Sequence, residues 1–256
     1  MKLSKYAALF LASTFLLGGS AHLHAADLVV GPPIVAAVND PGRPEADKQR
    51  DADRMPGESV TFAGMRAGDK VIDLIPGGGY FTRIFSKVVG ARGKVYALVP
   101  NEMLKSRATA ADGIKQLAAE PAYANIEVIS MPLNAVKAPV PVDIVWTSLN
   151  YHDMFNPSFG PVDMAAYNKS VFSALKPGGT YIIIDHVAES GSGKRDTEKL
   201  HRIDPAIVKD QVLAAGFLFL GESPVLAHPG DDHKGKVFDT NVRGKTDQFL
   251  LKFRRP

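Results

Sequence analysis

The stretch "VIDLIPGGGYFTRIF", residues 71–85, joins an apolar run to a helix-like segment through a proline and three glycines. The run over residues 71–75 has the length and composition of a buried strand, and residues 80–89 repeat apolar side chains at the spacing of one helix face. Because glycine has no side chain, residues 77–79 allow a ligand to approach the backbone closely. A strand, a glycine loop and a helix in this order are typical of α/β proteins that bind nucleotide-like ligands.

Outward from this stretch, strand and helix patterns alternate. Apolar runs predict seven strands, at residues 71–75, 94–99, 125–130, 142–148, 180–187, 217–223 and 246–253. Helices are predicted at residues 80–89, 102–119 and 163–175, and after Asp204, which precedes a proline as a helix N-cap would. The pattern predicts an α/β fold with a doubly wound, mostly parallel seven-stranded sheet and an antiparallel C-terminal strand pair.

Two segments precede this alternation. Residues 1–25 combine Lys2 and Lys5 with a short apolar stretch and a small-residue exit, which predicts a signal peptide cleaved after Ala25 and a periplasmic or secreted protein. The alternative is an N-terminal membrane anchor, which the shortness of the apolar run disfavours. Residues 26–69 are expected to form an irregular arm and short helices, and residues 70–256 the main domain.

Composition narrows the function classes. The formal net charge of +3 includes Lys2 and Lys5, and residues 1–25 contain no acid, so the exported chain would carry a charge near +1. We therefore expect no nucleic-acid surface. The absence of cysteine excludes a disulfide framework, a thiolate nucleophile and a lipoprotein anchor. The oligomeric state is left open.

Neither phosphate-binding motif is complete. A dinucleotide fingerprint needs a third glycine where Thr82 stands. The "GSGKRD" segment has Ala188 and Arg195 where a P-loop needs glycine and serine or threonine. The glycine loop therefore suits a nucleoside ligand that does not depend on a phosphate.

The segment from Asp73 to Gly79 resembles motif I of the class I S-adenosylmethionine-dependent methyltransferases. "VDIVWTSLNYHDM" and "ALKPGGTYIIIDHV" are similar to their fourth and fifth strands, and the C-terminal segments look like an exported bacterial branch of predicted methyltransferases. The resemblance implies a Rossmann-like methyltransferase fold, S-adenosylmethionine as the cofactor and a small-molecule substrate. The predicted cofactor-binding residues are Asp73, Gly77, Gly78, Gly79, Asn101, Glu102 and Asn150.

Two positions depart from the family pattern. Ile75 stands where motif I has its first glycine, so the loop is expected to approach a ligand only from Gly77 onward. Val99 and Pro100 stand where the family has an acid for the ribose hydroxyls, and Asn101 or Glu102 would have to replace it.

Polar residues after the fourth and fifth strands are the candidates for chemistry. His152 is a candidate general base, since imidazole titrates near neutral pH, with Asp153 orienting it and Tyr151 as a further catalytic candidate or lid. The residues predicted on the substrate side are Asp185, His186, His201, Arg202 and His233.

Two other functions remain open. The missing ribose acid and the expected export away from cytosolic S-adenosylmethionine favour a non-catalytic ligand-binding protein on a degenerate methyltransferase fold. Five histidines lie outside residues 1–25, several of them beside aspartates, and they indicate a histidine–aspartate metal-dependent hydrolase as the other alternative. Because no H-x-x-x-H or H-E-x-x-H spacing occurs, no metal ligand is predicted.

Overall fold

The computed structural model describes residues 28–160 and 162–256, so the predicted leader lies outside the described residues. Seven strands form one sheet: β1 (Lys70–Leu74), β2 (Lys94–Pro100), β3 (Ile126–Met131), β4 (Val142–Ser148), β5 (Leu175–His186), β6 (Leu218–Ser223) and β7 (Gln248–Arg254). Their order is β3-β2-β1-β4-β5-β7-β6, and β7 alone among these strands runs against its neighbours. The predicted fold class is confirmed.

Nine helices surround this sheet in the described residues. They are α1 (Pro32–Val38), α2 (Glu45–Lys48), α3 (Asp51–Arg54), α4 (Pro56–Ala63), α5 (Tyr80–Val89), α6 (Asn101–Ser106), α7 (Asp112–Ala119), α8 (Met164–Ala174) and α9 (Pro205–Ala214). One apolar cluster lies between the sheet and the side of α5 and α7, and a second lies on the side of α8 and α9. Helices therefore cover both faces, which explains the buried apolar runs at residues 95–99 of β2 and 181–184 of β5.

Local signals determine where several helices begin. Asp163 accepts hydrogen bonds from the backbone N–H groups of Ala165 and Ala166, and Asp204 accepts one from Ala206. These carboxylates satisfy donors that a helix start leaves unpaired. The predicted N-cap at Asp204 is confirmed.

One prediction about helices was wrong, and another is made more specific. In the N-terminal segment, where an irregular arm and short helices were expected, Pro32 begins α1, and Ile34 and Ala37 bury one face of that helix. Residues 102–119 do not form one helix, since Arg107 is extended between α6 and α7. The Ser106 hydroxyl donates to the carbonyl of Met103, which is the competition by which serine weakens a helix.

Helix α5 holds the glycine loop against the sheet. Phe81 and Phe85 stack on one another, and their ring centroids lie 4.9 and 5.0 Å from that of Trp146 on β4. Such aromatic contacts add stabilisation beyond the area they bury. The start of α5 is therefore fixed relative to the carboxyl ends of both β1 and β4.

Among the described residues, no helix has the length and apolar character needed to cross a membrane.

Candidate functional site

A cavity of about 230 Å³ opens at the carboxyl ends of β1 and β4. These strands are adjacent although β2 and β3 lie between them in the sequence, so the cavity is at the point where the strand order reverses. Open α/β sheets bind their ligands at such switch points. Its lining comprises Arg50, Arg54, Asp73, Ile75, Pro76, Gly77, Gly78, Tyr80, Phe81, Ser148, Leu149 and Asn150.

Both loops that form the cavity contain a strained residue. Ile75 has a φ of 56° and Leu149 a φ of 59°, in the left-handed region that residues other than glycine rarely adopt. Ile75 therefore keeps a conformation suited to the glycine of motif I, although its side chain is branched and buried. Strain of this kind is concentrated at binding sites and persists where the surroundings enforce it.

The three glycines of the loop do different things. A Cβ at Gly77 or Gly78 would meet nothing within 4 Å, so these two residues leave open space on the cavity side. A Cβ at Gly79 would lie 2.6 Å from Leu117 of α7, and this glycine does not line the cavity. Gly79 is therefore required for helix packing, and its predicted contact with a cofactor does not follow from its position.

Asp73, the second-to-last residue of β1, lines the cavity and is 4% exposed. Its Oδ2 accepts a hydrogen bond of 2.6 Å from the Thr82 hydroxyl. Burial raises the pKa of Asp73 to about 7, against the opposing effects of Thr82 and the nearby charge of Arg54. A positively charged ligand group would therefore bind most strongly to the ionised form of this carboxyl.

Two arginines from the N-terminal segment, Arg54 in α3 and Arg50 directly before it, also line the cavity. Arg54 of α3 lies over the rings of Tyr80 and Phe81, at 4.6 and 5.8 Å from their centroids, and Arg50 lies 5.5 Å from that of Tyr80. Burial and the neighbouring charge of Arg50 lower the pKa of Arg54 to about 10, so it stays charged at neutral pH. Neither arginine was predicted from the sequence. Their spacing of four in a charged segment was the available signal, but only the fold brings that segment over the cavity.

Asn150 links the two strand ends. Its side-chain amide donates to the carbonyl of Ser148 at 2.7 Å and lies 3.4 Å from the carbonyls of Leu74 and Ile75. Asn150 lines the cavity as predicted, and these bonds also give it a positioning role.

Asn101 and Glu102 do not line this cavity. They begin α6 directly after β2, and the Glu102 carboxylate accepts from the backbone N–H of Leu133 at 3.2 and 3.3 Å. Glu102 is thus already engaged with the segment after β3. Of the two residues predicted to replace the ribose acid, this leaves Asn101 as the candidate.

A second polar group, beyond β4 and β5, surrounds His152. Its Nδ1 lies 2.7 Å from Oδ1 of Asp185, and its backbone N–H donates to Oδ2 of the same carboxylate. Asp153, which was predicted to orient the ring, instead lies 3.3 Å from the other nitrogen, Nε2. The prediction was therefore wrong about the orienting residue: Asp185 at the end of β5 holds the imidazole.

The charges around His152 alter its protonation. Burial lowers the pKa of His152, but Asp185 and Asp153 outweigh it and raise the value to about 10. Burial also raises the pKa of Asp185, but the charge and hydrogen bonds of His152 outweigh burial, so the pKa of Asp185 lies below its ordinary value. The pair is a buried imidazolium–carboxylate at neutral pH, which does not fit a free general base at His152.

His201 and His186 flank this pair. The Nδ1 of His201 lies 3.3 Å from Nε2 of His152, and its ring packs 4.8 Å from that of Phe238. His186 contacts the Thr246 hydroxyl at 2.9 Å through Nδ1. Burial lowers the pKa of His186 to about 4, so this ring is neutral.

Three predicted site residues have structural contacts that oppose their assignment. Tyr151 is fully buried, and its hydroxyl accepts from Asn168 and donates to Gln211, so it cannot touch a substrate. Arg202 is also fully buried and forms a two-point ion pair with Asp231. His233 pairs with Asp247 at 3.0 Å instead of joining the group around His152. The sequence did not reveal these partners because most lie far along the chain.

Known proteins resemble the chain in sequence and in fold, although no family model matches it. It is 28% identical over 198 residues to the ubiquinone/menaquinone biosynthesis C-methyltransferase UbiE of Yersinia pestis (strain Pestoides F), covering 73% of this chain and 72% of that protein. The UbiE of Cronobacter sakazakii (strain ATCC BAA-894) is 30% identical over 184 residues, 68% of this chain and 66% of that protein.

Among solved structures, an S-adenosylmethionine-dependent methyltransferase from Aquifex aeolicus aligns with a TM-score of 0.54 and 20% identity, over 86% of this chain and 97% of that one. The [4+2]-cyclase SpnF aligns with a TM-score of 0.55 and 16% identity, over 88% of this chain and 92% of that one. These structural likenesses concern the fold.

The sheet order and the glycine-loop cavity at its switch point define a Rossmann-like α/β protein. Together with the sequence similarity to curated C-methyltransferases, they place the chain in the class I S-adenosylmethionine-dependent methyltransferase superfamily. The resemblance noted from motif I is confirmed at this level, and the exported branch stays a prediction.

Proposed function

We propose that the chain binds S-adenosylmethionine in the glycine-loop cavity and transfers its methyl group to a small molecule by in-line displacement. The observation that carries the proposal is the cavity itself: a motif-I loop with open backbone at Gly77 and Gly78, beside a buried acid, at the sheet's switch point. The similarity to methyltransferases over most of the chain supports the reaction type.

The residues of the cavity fit the amino-acid end of this cofactor. Asp73 would receive the ammonium group, and Arg54 or Arg50 the carboxylate. A volume of about 230 Å³ is below the range of sites that enclose a drug-sized ligand, so the nucleoside would extend along the end of β2 toward Asn101. When bound, the cofactor supplies an electrophilic methyl group on a sulfonium.

The chain's own contribution would be to position the reactants and exclude water. The rings of Tyr80 and Phe81 and the guanidinium of Arg54, which lies over both rings, line the cavity. Asn150 holds the β4 loop, and the polar group around His152 follows two residues later, which makes the ends of β4 and β5 the expected entry of the acceptor. Fixing the acceptor in line with the methyl group is the main source of rate in such a transfer.

Binding calorimetry of the purified chain with S-adenosylmethionine and S-adenosylhomocysteine tests the proposal. We expect a single site with both ligands. Folded protein that gives no heat with either ligand at millimolar concentration would refute it.

A second candidate is a non-catalytic protein that keeps the fold but uses the cavity for a different ligand, and it is favoured by the engagement of Glu102 with Leu133. Restoring a ribose acid separates the two candidates. Since Val99 is buried, Asn101→Asp introduces the acid at the first turn of α6, where a carboxylate is tolerated. A dormant ribose site should gain about tenfold in affinity for S-adenosylhomocysteine, or ~1.4 kcal/mol, whereas a repurposed cavity should not respond.

A further inference from the structure

His152, Asp153 and His201 form a compact three-residue group, called here the histidine cluster. His152 and Asp153 belong to the 3-10 turn His152–Phe155 directly after β4, and His201 lies in the connection between β5 and α9. The His152 side chain is 4% exposed, and those of Asp153 and His201 are 24% and 19% exposed. The cluster is thus anchored in the protein on one side and open on the other.

The distances within the cluster match those between ligands of a metal ion. Nε2 of His152 lies 3.3 Å from Nδ1 of His201 and 3.3 Å from Oδ1 of Asp153, and the latter two atoms are 3.7 Å apart. A tetrahedral zinc ion with bonds of about 2.0–2.1 Å sets its ligands roughly 3.3–3.4 Å apart. The three atoms therefore surround a point that suits such an ion with little movement.

Asp185 supplies the support that a metal-binding histidine requires. Its carboxylate is fully buried, lies 2.7 Å from Nδ1 of His152, and accepts the backbone N–H groups of His152 and His186. A bound ion would displace the proton from Nε2 of His152. With the remaining proton on Nδ1, facing Asp185, Nε2 is the coordinating nitrogen and faces the other two residues. A carboxylate behind a ligating imidazole is a general feature of metal sites, since it fixes both the tautomer and the ring orientation.

The backbone at His201 is a separate observation. Its φ is 55°, in the left-handed region, and the ring is held against Phe238 with centroids 4.8 Å apart. A histidine in this conformation costs energy that local packing must offset. In this conformation Nδ1 of His201 lies 3.3 Å from Nε2 of His152 and 3.7 Å from Oδ1 of Asp153.

The geometry points to a site for one divalent transition-metal ion, Zn²⁺ or a chemically similar ion, coordinated by Nε2 of His152, Oδ1 of Asp153 and Nδ1 of His201. Two imidazoles and one carboxylate suit such ions better than Mg²⁺ or Ca²⁺, which prefer oxygen ligands. Because Asp153 and His201 are partly exposed, a fourth position is accessible from outside. An oxygen donor of a small molecule can occupy it, as in open metal sites.

The proposal does not depend on methyl transfer, because metal binding is measured without the cofactor. Tag-free protein is stripped with a chelator and titrated with ZnCl₂ by calorimetry and with CoCl₂ by visible absorption. We expect one ion per chain and the intense d–d bands of a tetrahedral Co²⁺ site. In His201→Ala the affinity for Zn²⁺ should fall at least 100-fold, and in Asp185→Asn about 10- to 100-fold.

His233→Ala is the matched control, since it also removes a partly exposed histidine paired with an aspartate but lies outside the cluster. It should bind Zn²⁺ as the parent chain does. Circular dichroism verifies folding, and Asp153→Asn replaces His201→Ala if that variant does not fold. Two results would overturn the proposal. If the parent chain binds less than one Zn²⁺ ion, the short distances within the histidine cluster reflect hydrogen bonds that share a proton. If the cluster variants bind Zn²⁺ as tightly as His233→Ala does, the bound ion lies elsewhere.

Discussion

Gly78 and Gly79 are neighbours in the chain, yet the space around them differs. Gly78 faces open cavity, whereas Gly79 has a φ of 86° and leaves no room for a Cβ beside Leu117. Gly78→Ala should therefore change the free energy of unfolding by less than about 0.5 kcal/mol while lowering the affinity for S-adenosylhomocysteine at least about tenfold, ~1.4 kcal/mol. Gly79→Ala should be destabilised by roughly 1–3 kcal/mol.

Chemical denaturation and calorimetry on the two variants check this pair. If Gly78→Ala binds S-adenosylhomocysteine as the parent chain does, Gly78 does not face the cofactor.

Asp73 should make cofactor binding depend on pH. Its folded-state pKa of about 7 lies above the ordinary value of 3.8, so the neutral form predominates below pH 7. A ligand ammonium prefers the carboxylate, and the affinity for S-adenosylhomocysteine should rise from pH 6 to pH 8. Asp73→Asn, which can still accept from Thr82, should show no such rise in calorimetry at the two pH values.

The Asp73 carboxyl should also make the stability of the ligand-free protein depend on pH, in the opposite direction to ligand affinity. Because the folded-state pKa is raised, its favourable contribution is complete below pH 3.8 and is lost as the pH increases through about 7. Without ligand, Asp73→Asn should gain stability relative to the parent chain between pH 5 and pH 8. A constant difference in denaturation midpoint across this range would show that Asp73 does not titrate there.

At the scale of elements, helix α3 brings a charge to the cavity that the sheet does not supply. If Arg54 receives the cofactor carboxylate, Arg54→Gln should weaken S-adenosylhomocysteine about 10- to 100-fold, which corresponds to roughly 1.5–3 kcal/mol for a hydrogen bond to a charged group. The affinity for 5′-methylthioadenosine, which lacks the amino-acid end, should change by less than about threefold, since each ~1.4 kcal/mol is tenfold.

Calorimetry with both ligands makes the measurement, and Arg92→Gln, on an exposed turn before β2, is the control. If Arg54→Gln weakens the binding of both ligands equally, Arg54 does not contact the amino-acid end of the cofactor.

For the whole molecule, the fold leaves the reaction open. The chain aligns about equally well with a methyltransferase and with the [4+2]-cyclase SpnF, so the function must be argued from the site. The glycine loop, Asp73 and the two N-terminal arginines support cofactor binding, while the polar residues at the ends of β4 and β5 are the proposed acceptor side.

Export is also a property of the whole chain. We propose that residues 1–25 direct export and are removed, so the mature protein should begin at Ala26 and be recovered from the periplasm of a Gram-negative host. Mass spectrometry of the fractionated protein measures this. An intact chain in the cytosol would contradict export, and an intact chain in the membrane fraction would indicate the anchor instead.

The sequence by itself determined the sheet, the glycine loop and the start of α9. The apolar runs, residues 73–79 and the cap at Asp204 are local signals, in which a few neighbouring residues specify a backbone conformation. Competition between side-chain and backbone hydrogen bonds was harder to predict from the sequence, and the helix break at Arg107 was missed for that reason.

Only the tertiary structure decided which side chains meet. Asp185 is 33 residues from His152, and His201 is 49 residues away, so their contact depends on β4 and β5 being neighbours in the sheet. The same applies to Arg54 over the cavity and to Arg202, whose partner Asp231 is 29 residues distant. Side-chain contacts of this kind are set by strand order and loop paths, and no periodic pattern in the sequence records them.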